Sequence, residues 1–334
     1  MKKTVITVVK FVVSFGILAY IANKVGAAAL WNTVREANLS YFIFAVLGYF
    51  VVQGLSAFRW YLLLKPLGLK IGYPRILALY FLGMYFNLFL PTAIGGDAVR
   101  VYYLHKEAKR LSHATASVFL DRDLGMGALL FIATMVAAFA GTAINGIALA
   151  PIFGFISVAF LAANLAIFYK PTYNLLHRLL SKTKMKSVDE KVESLFNSVN
   201  AYRGKSRLMT SAFAISCVIQ IGGIGANILV AEAIGLKTAN GWLDFLVFIP
   251  AISLISMNPL SVAGTGWREY SYKIFFASVA LAEPNVAVTQ AATLGLLWLG
   301  VMVLTSLPGG IIYIFKNSAA KASISSEPLE ATNS

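Results

Sequence analysis

Two arginines follow glycine-rich interruptions of apolar segments, and both have the chemistry to bind an anion. The interruptions are 87–100 (NLFLPTAIGGDAVR) and 258–269 (NPLSVAGTGWRE), and in each the arginine follows the proline by nine residues. Glycines let backbone N–H groups approach a ligand, and a helix that begins beyond them turns its positive end toward an anion. A guanidinium adds paired donors that match phosphate oxygens. The candidate phosphate-binding residues at the two interruptions are Asn87, Gly95, Gly96, Arg100, Gly264, Gly266, Arg268 and Glu269.

A structural interpretation of the same residues stays open. Glycines in apolar helices also permit close helix packing. Arg100 stands in a basic stretch, from which its side chain could extend to the headgroup interface. Arg268 lies in more apolar surroundings and is therefore the stronger candidate of the two.

Other charges stand at the edges of apolar segments, at Arg59 and in the run Asp121-Arg122-Asp123. Such charges are retained only when they are paired or face a cavity. An ion pair between Arg59 and this run is the simplest interpretation, and Arg59 and Arg122 are also candidate substrate contacts. Three acids predicted nearer the external side could pair with Arg268 or carry a proton: Glu232, Asp244 and Glu269.

Catalytic and metal-binding patterns are weak. Asp121-x-Asp123 fits a short metal-binding motif of sugar transferases, but no large catalytic loop surrounds it, and the three histidines lack metal-ligand spacing. The spacing assembles no nucleophile with a base and an orienting partner. Cys217 is the only cysteine, which excludes an intrachain disulfide. We therefore expect no catalytic residues, no metal and no cofactor.

The composition is typical of a polytopic membrane protein. Of the 334 residues, 58% are hydrophobic and 13% are charged, against about 25% charged in soluble domains. We predict an all-α fold in one transmembrane domain over residues 1–316, with six full spans and two broken or re-entrant helix pairs, followed by a disordered tail over 317–334. The six apolar runs long enough to cross a bilayer core are 4–23, 41–64, 115–140, 147–169, 208–233 and 287–315.

The positive charges orient the chain. The formal net charge is +14, and most of the 28 Lys and Arg lie in segments 1–10, 65–75, 97–113, 170–207 and 316–321. The positive-inside rule places these segments and both termini in the cytoplasm, and we expect the inner membrane. The charge then indicates contact with anionic lipid headgroups and not with nucleic acid. The basic connection over 170–207 is predicted to form an amphipathic helix at the membrane surface.

The two interruptions are predicted to open toward opposite sides of the membrane. If each broken region enters and leaves on one side, the basic loops all face the cytoplasm, and the first region opens from inside while the second opens from outside. Secondary transporters built as inverted repeats have this arrangement, with their substrate site at the broken helices. A re-entrant hairpin and a pair of short tilted helices fit the pattern equally well.

Several motifs, in order, resemble the lysylphosphatidylglycerol synthetase transmembrane-region family of flippase-like integral membrane proteins. They are Arg59-Trp60, the pattern over 87–100, Asp121-Arg122 and the pattern over 259–269. The resemblance covers roughly residues 5–315 and implies lipid translocation or lipid handling. It does not imply lysyl transfer, which in the two-part enzymes belongs to a separate cytosolic domain that we do not expect here. Asp121 departs from the family, whose members often have glutamate at this position.

We therefore expect a protein that moves an anionic phospholipid or a polyprenyl-phosphate-linked lipid between leaflets. Arg100 near the inner face and Arg268 near the outer face would hold the headgroup phosphate in turn. The sequence carries no nucleotide-binding motif, so a gradient or the lipid's own concentration difference would drive transport. Two alternatives stay open: a membrane-embedded transferase that modifies a lipid headgroup, and a non-catalytic partner of a lipid synthase.

Overall fold

The computed structural model describes residues 26–90, 95–144, 146–168, 171, 196–257 and 266–325. Five predicted features therefore lie partly or wholly outside the described residues: the first span over 4–23, Pro91 and Gly264 within the interruptions, most of the basic connection over 170–207, and the end of the tail over 317–334. The fold is helical, as predicted, apart from one short antiparallel pair of two-residue strands, Ala143–Ile144 and Ile147–Ala148, which joins two helices.

The helices are numbered here in chain order. A 3-10 turn, Lys65–Leu67, follows the second of them. Their bounds are α1 Ala27–Glu36, α2 Leu39–Leu64, α3 Tyr73–Phe89, α4 Gly95–Ala108, α5 Leu111–Ala140, α6 Leu149–Phe168, α7 Ser206–Ala233, α8 Trp242–Ser256, α9 Trp267–Ala277 and α10 Pro284–Ser325.

Within the described residues, four helical segments are long and apolar enough to cross a membrane: 39–67, 111–140, 206–233 and 284–315. Helices α6 and α8 are also apolar but shorter. The four long segments correspond to four of the six predicted spans. Exposed aromatic and aliphatic side chains cover the outer faces, including Phe139 at 84% and Phe155 at 77% exposure. Apolar surface on this scale is stable in lipid and not in water.

Each predicted interruption lies between two helices. Helices α3 and α4 flank the first one, and α8 and α9 flank the second. Helix α3 begins with a proline in its first turn, where no intrahelical N–H bond is lost. Helix α9 begins after Gly266, whose φ of 88° is a conformation that glycine adopts without strain.

Glycines bring α3 into close contact with a helix on each side. A Cβ on Gly96 of α4 would overlap the Gly83 carbonyl oxygen of α3, and a Cβ on Gly309 of α10 would overlap the Phe81 carbonyl oxygen. The packing interpretation of these glycines thus holds for Gly96. Helix α10 also packs against α9, so it joins the two broken regions in space. It continues to Ser325, beyond the domain boundary predicted at residue 316.

Candidate anion-binding cavity

The helices line an open cavity of about 580 Å³, within the range of about 300–1,000 Å³ found for small-molecule sites. Residues of both broken regions line it, together with α2, α5 and α10. The lining combines apolar side chains with a charged group of arginines and aspartates. Its charged residues are Arg59, Asp97, Arg100, Asp121, Arg122, Asp123 and Arg268.

Arg100 lies in the wall of the cavity, not at an exposed interface. It is 6% exposed, and its guanidinium carbon lies 4.0 Å from the Trp60 ring centroid and 4.6 Å from that of Tyr80. Its Nη2 donates to Asp121 Oδ2 at 2.8 Å, and Nη1 donates to Asp97 Oδ1 at 3.3 Å. Two rings and two carboxylates therefore fix the guanidinium. The interpretation of Arg100 as a residue that extends to the headgroup interface does not hold.

The predicted ion pair between Arg59 and the 121–123 run is present. Arg59 Nε donates to Asp121 Oδ1 at 2.9 Å, and Nη1 donates to the Ser216 hydroxyl at 2.7 Å. Asp121 is 2% exposed, and its carboxylate forms ion pairs with two buried arginines, one from α2 and one from α4. A buried carboxylate needs such partners because its transfer from water is costly.

Arg122 is the most exposed of the cavity arginines. Its side chain is 40% exposed and forms an ion pair with Asp97, while the side chains of Arg59, Arg100 and Arg268 are 6–8% exposed. Asp97 therefore connects Arg100 to Arg122, as Asp121 connects Arg59 to Arg100. The result is a continuous chain of alternating charges along one side of the cavity.

Arg268 occupies another part of the wall with its own carboxylate. Its Nε and Nη2 donate to Glu269 Oε1 at 3.0 and 2.5 Å. Glu269 is fully buried, and its Oε2 accepts the Gly266 N–H at 2.6 Å, which fixes the first turn of α9. The third nitrogen, Nη1, lies 3.0 Å from the Met302 sulfur.

Of the three acids considered as partners of Arg268, Glu269 is the one that pairs with it. Asp244 accepts hydrogen bonds from the backbone and side chain of Asn240 at 3.0 Å. Glu232 lies on the exposed side of α7.

Three of the described glycines at the interruptions make contacts within the protein. The Gly96 N–H donates to Asn87 Oδ1 at 3.3 Å, and the Gly266 N–H donates to Glu269, so both backbone donors have acceptors within the protein. Gly95 packs against Leu90, where a Cβ would overlap the leucine side chain. In the described part of the cavity, the positively charged donors all belong to arginines.

Arg100 and Arg268 line the same cavity. The reason is that α3 and α9 both pack against α10, which brings the two broken regions together. Sequence reasoning also missed the roles of Asp97, Tyr80 and Met302. Asp97 belonged to the first motif, and its position three residues before Arg100 was the available signal for their ion pair.

Metal binding finds no support in the described residues, among which no group of three or more His, Cys, Asp or Glu side chains could hold an ion. The aspartates at 121 and 123 do not form such a group. Asp121 instead accepts hydrogen bonds from two arginines.

Long apolar helices around a cavity with buried, paired arginines define an integral, multi-pass membrane protein with a polar interior site. The family model of the lysylphosphatidylglycerol synthase TM region matches residues 7–312, and the chain belongs to that family. The resemblance seen in the sequence motifs is thereby confirmed.

Two archaeal proteins are similar to parts of the chain. A UPF0104 membrane protein of Methanocaldococcus jannaschii is 30% identical over 137 residues, which are 40% of this chain and 40% of that protein. A UPF0104 membrane protein of Methanothermobacter thermautotrophicus is 28% identical over 120 residues, 35% of this chain and 36% of that protein. The similarity therefore spans well under half the length of either relative.

Proposed function

We propose that the protein moves an anionic phospholipid or a polyprenyl-phosphate-linked lipid between the leaflets of the inner membrane. The headgroup phosphate binds Arg268 and Arg100, and the acyl or prenyl chains stay in the bilayer. Anionic membrane lipids are thus the proposed partners. One observation carries the proposal: arginines from both broken regions line one cavity inside a bundle of membrane-length helices.

The composition of the cavity suits a lipid headgroup. Its guanidiniums can donate to phosphate oxygens, and charge-assisted hydrogen bonds of this kind contribute about 1.5–3 kcal/mol each. Leu88, Leu129 and Phe160 supply apolar wall beside the arginines. A site with charged and apolar walls side by side accommodates the junction between a phosphate and a hydrocarbon chain.

The topology we propose keeps the inverted repeat of six spans and two broken regions, with both termini in the cytoplasm. In this topology the first broken region reaches the cavity from the inner side and the second reaches it from the outer side. The shared cavity then lies where the two regions meet, as substrate sites do in transporters with broken helices.

Lipid exchange in liposomes tests the proposal. Purified protein is reconstituted with fluorescent phosphatidylglycerol, phosphatidic acid or undecaprenyl phosphate, and exchange between leaflets is followed by dithionite quenching. Wild-type protein should accelerate the exchange of at least one anionic lipid. The double variant Arg268→Gln/Glu269→Gln should reduce that rate by at least about tenfold, because it removes the donors without leaving a buried carboxylate unpaired.

Arg75→Gln is the matched control, since Arg75 is also an ion-paired arginine but is exposed and does not line the cavity. It should exchange lipid at the wild-type rate. Equal exchange in protein-free, wild-type and variant vesicles, with folding verified, would contradict translocation. Chemical modification of a lipid in the same vesicles would instead favour the transferase.

A further inference from the structure

The hydrogen bonds of Arg268 are unequal in strength, and the weakest one joins it to another residue of the cavity lining. Two of its nitrogens share the Glu269 carboxylate, and Nη1 has the Met302 sulfur at 3.0 Å. A thioether is a weak acceptor, whereas a carboxylate or a phosphate oxygen is a strong one. In the described part of the chain, Nη1 of this buried guanidinium therefore has no oxygen acceptor.

Met302 lies where a ligand would meet Arg268. It projects from α10 on the face that carries Leu299 and Ser306, and all three residues line the cavity. The spacing of three and seven residues places them on one face of a helix. Arg268 lines the same cavity. A ligand in this cavity can therefore replace the sulfur as the hydrogen-bond acceptor of Nη1.

The methionine side chain suits this exchange. It is unbranched and has three rotatable bonds, so its sulfur can turn aside without movement of the helix backbone. Met302 is only partly buried. By contrast, Glu269 is fully buried and also holds the Gly266 N–H, so it is fixed in place.

We propose that Met302 is a specificity-determining residue, whose thioether competes with a phosphate oxygen of the lipid headgroup for Nη1 of Arg268. A strong anionic acceptor displaces the sulfur, and a neutral headgroup does so less effectively. The competition also weakens phosphate binding enough for the headgroup to leave Arg268. This inference rests on the proposed function, and it assigns the selectivity of that site to one side chain.

Two substitutions of similar size should shift affinity in opposite directions. Met302→Leu removes the competing acceptor and should tighten phosphate binding by about fivefold to tenfold. Met302→Gln provides an amide oxygen, a stronger acceptor than sulfur, and should weaken binding by a similar factor. A purely structural role for Met302 would shift both variants in one direction or neither.

Isothermal titration calorimetry of the full-length protein in detergent measures these affinities, with dihexanoylphosphatidic acid and inorganic phosphate as separate probes. The corresponding leucine and glutamine variants at Met135 are the controls. Met135 also lies on α5, but it is 42% exposed and does not line the cavity. These variants should bind within about twofold of wild type. Melting temperatures establish that all four variants are folded.

Opposite shifts at Met302 with unchanged affinity at Met135 would support the proposal. Shifts in the same direction, no shift, or wild-type protein that binds neither probe would overturn it, while the vesicle assay decides translocation separately. The expected pattern with inorganic phosphate but not with the lipid probe would support competition at Arg268 and contradict a lipid ligand. If wild-type protein exchanges lipid but the Met302 variants show no opposite shifts in affinity, the proposed function is supported and the proposed role of Met302 is wrong.

Discussion

Replacement of Asp121 by asparagine should cost about 3–5 kcal/mol of stability. Asp121 is 2% exposed and accepts hydrogen bonds from Arg59 at 2.9 Å and from Arg100 at 2.8 Å. Asparagine keeps the shape, but it removes the charge and turns one oxygen acceptor into an N–H donor that faces a guanidinium. The two buried arginines then lose the negative charge that compensated them. Removing only one partner of a buried ion pair is costly because it leaves a buried charge without compensation.

Thermal unfolding in detergent measures the effect. For a chain of 334 residues, a loss of 3–5 kcal/mol corresponds to a fall in melting temperature of roughly 4–7 °C. Asp123→Asn is the matched control, because Asp123 lies two residues further along the same helix and lines the same cavity, but has no ion pair among the described residues. Its melting temperature should change by less than about 3 °C.

A second comparison separates the bridge from simple loss of polarity. Arg59→Met combined with Asp121→Asn should be less destabilising than the sum of the two single variants, by about 1–3 kcal/mol, because the pair is removed together. Equal melting temperatures for the variants at 121 and 123, or strict additivity in the double variant, would refute the role of Asp121 as a bridge between arginines.

Two further substitutions address helix packing and surface charge. Gly96→Ala should destabilise the protein by about 1–3 kcal/mol, because its methyl group would overlap the Gly83 carbonyl oxygen. A Cβ at Gly223 meets nothing within 4 Å, so Gly223→Ala should be neutral or slightly stabilising. Thermal unfolding of the two variants tests this, and equal losses of stability would contradict close packing of α3 and α4. Arg75→Ala should lower the free energy of unfolding by less than about 0.5 kcal/mol, since its ion pair with Glu107 is exposed. A loss above about 2 kcal/mol in the same assay would contradict the small contribution assigned to this ion pair.

The sequence was sufficient to predict the helical membrane fold and the ion pair of Arg59. Apolar runs and charged loops are local signals, and a charge within an apolar segment needs a partner nearby. The positions of α2, α5, α7 and the 284–315 part of α10 follow from such runs. The prolines and glycines likewise indicated where α3 and α8 end.

The shared cavity could not be predicted in this way, because it depends on contacts between distant helices. Arg100 and Arg268 are separated by about half of the chain, and the packing of α3 and α9 against α10 brings them to one cavity. The contacts of Arg100 with aromatic rings could not be predicted from the sequence either. Trp60 and Tyr80 belong to different helices, and aromatic residues near helix ends are more often membrane anchors.

The charge bridge at Asp121 also has a consequence for the synthesis of the protein. Arg59 leaves the ribosome 62 residues before Asp121 and 157 residues before Ser216, its other hydrogen-bond partner. Helix α2 must therefore enter the membrane with a guanidinium whose partners do not yet exist, which costs about 2.5–3.5 kcal/mol at the centre of a span. Arg59 stands near the C-terminal end of α2, where its long side chain can reach water until α5 arrives. Arrival of α5 then gives the bundle an ordered assembly step, in which a polar residue fixes the pairing of two helices that lipid alone would leave free to separate.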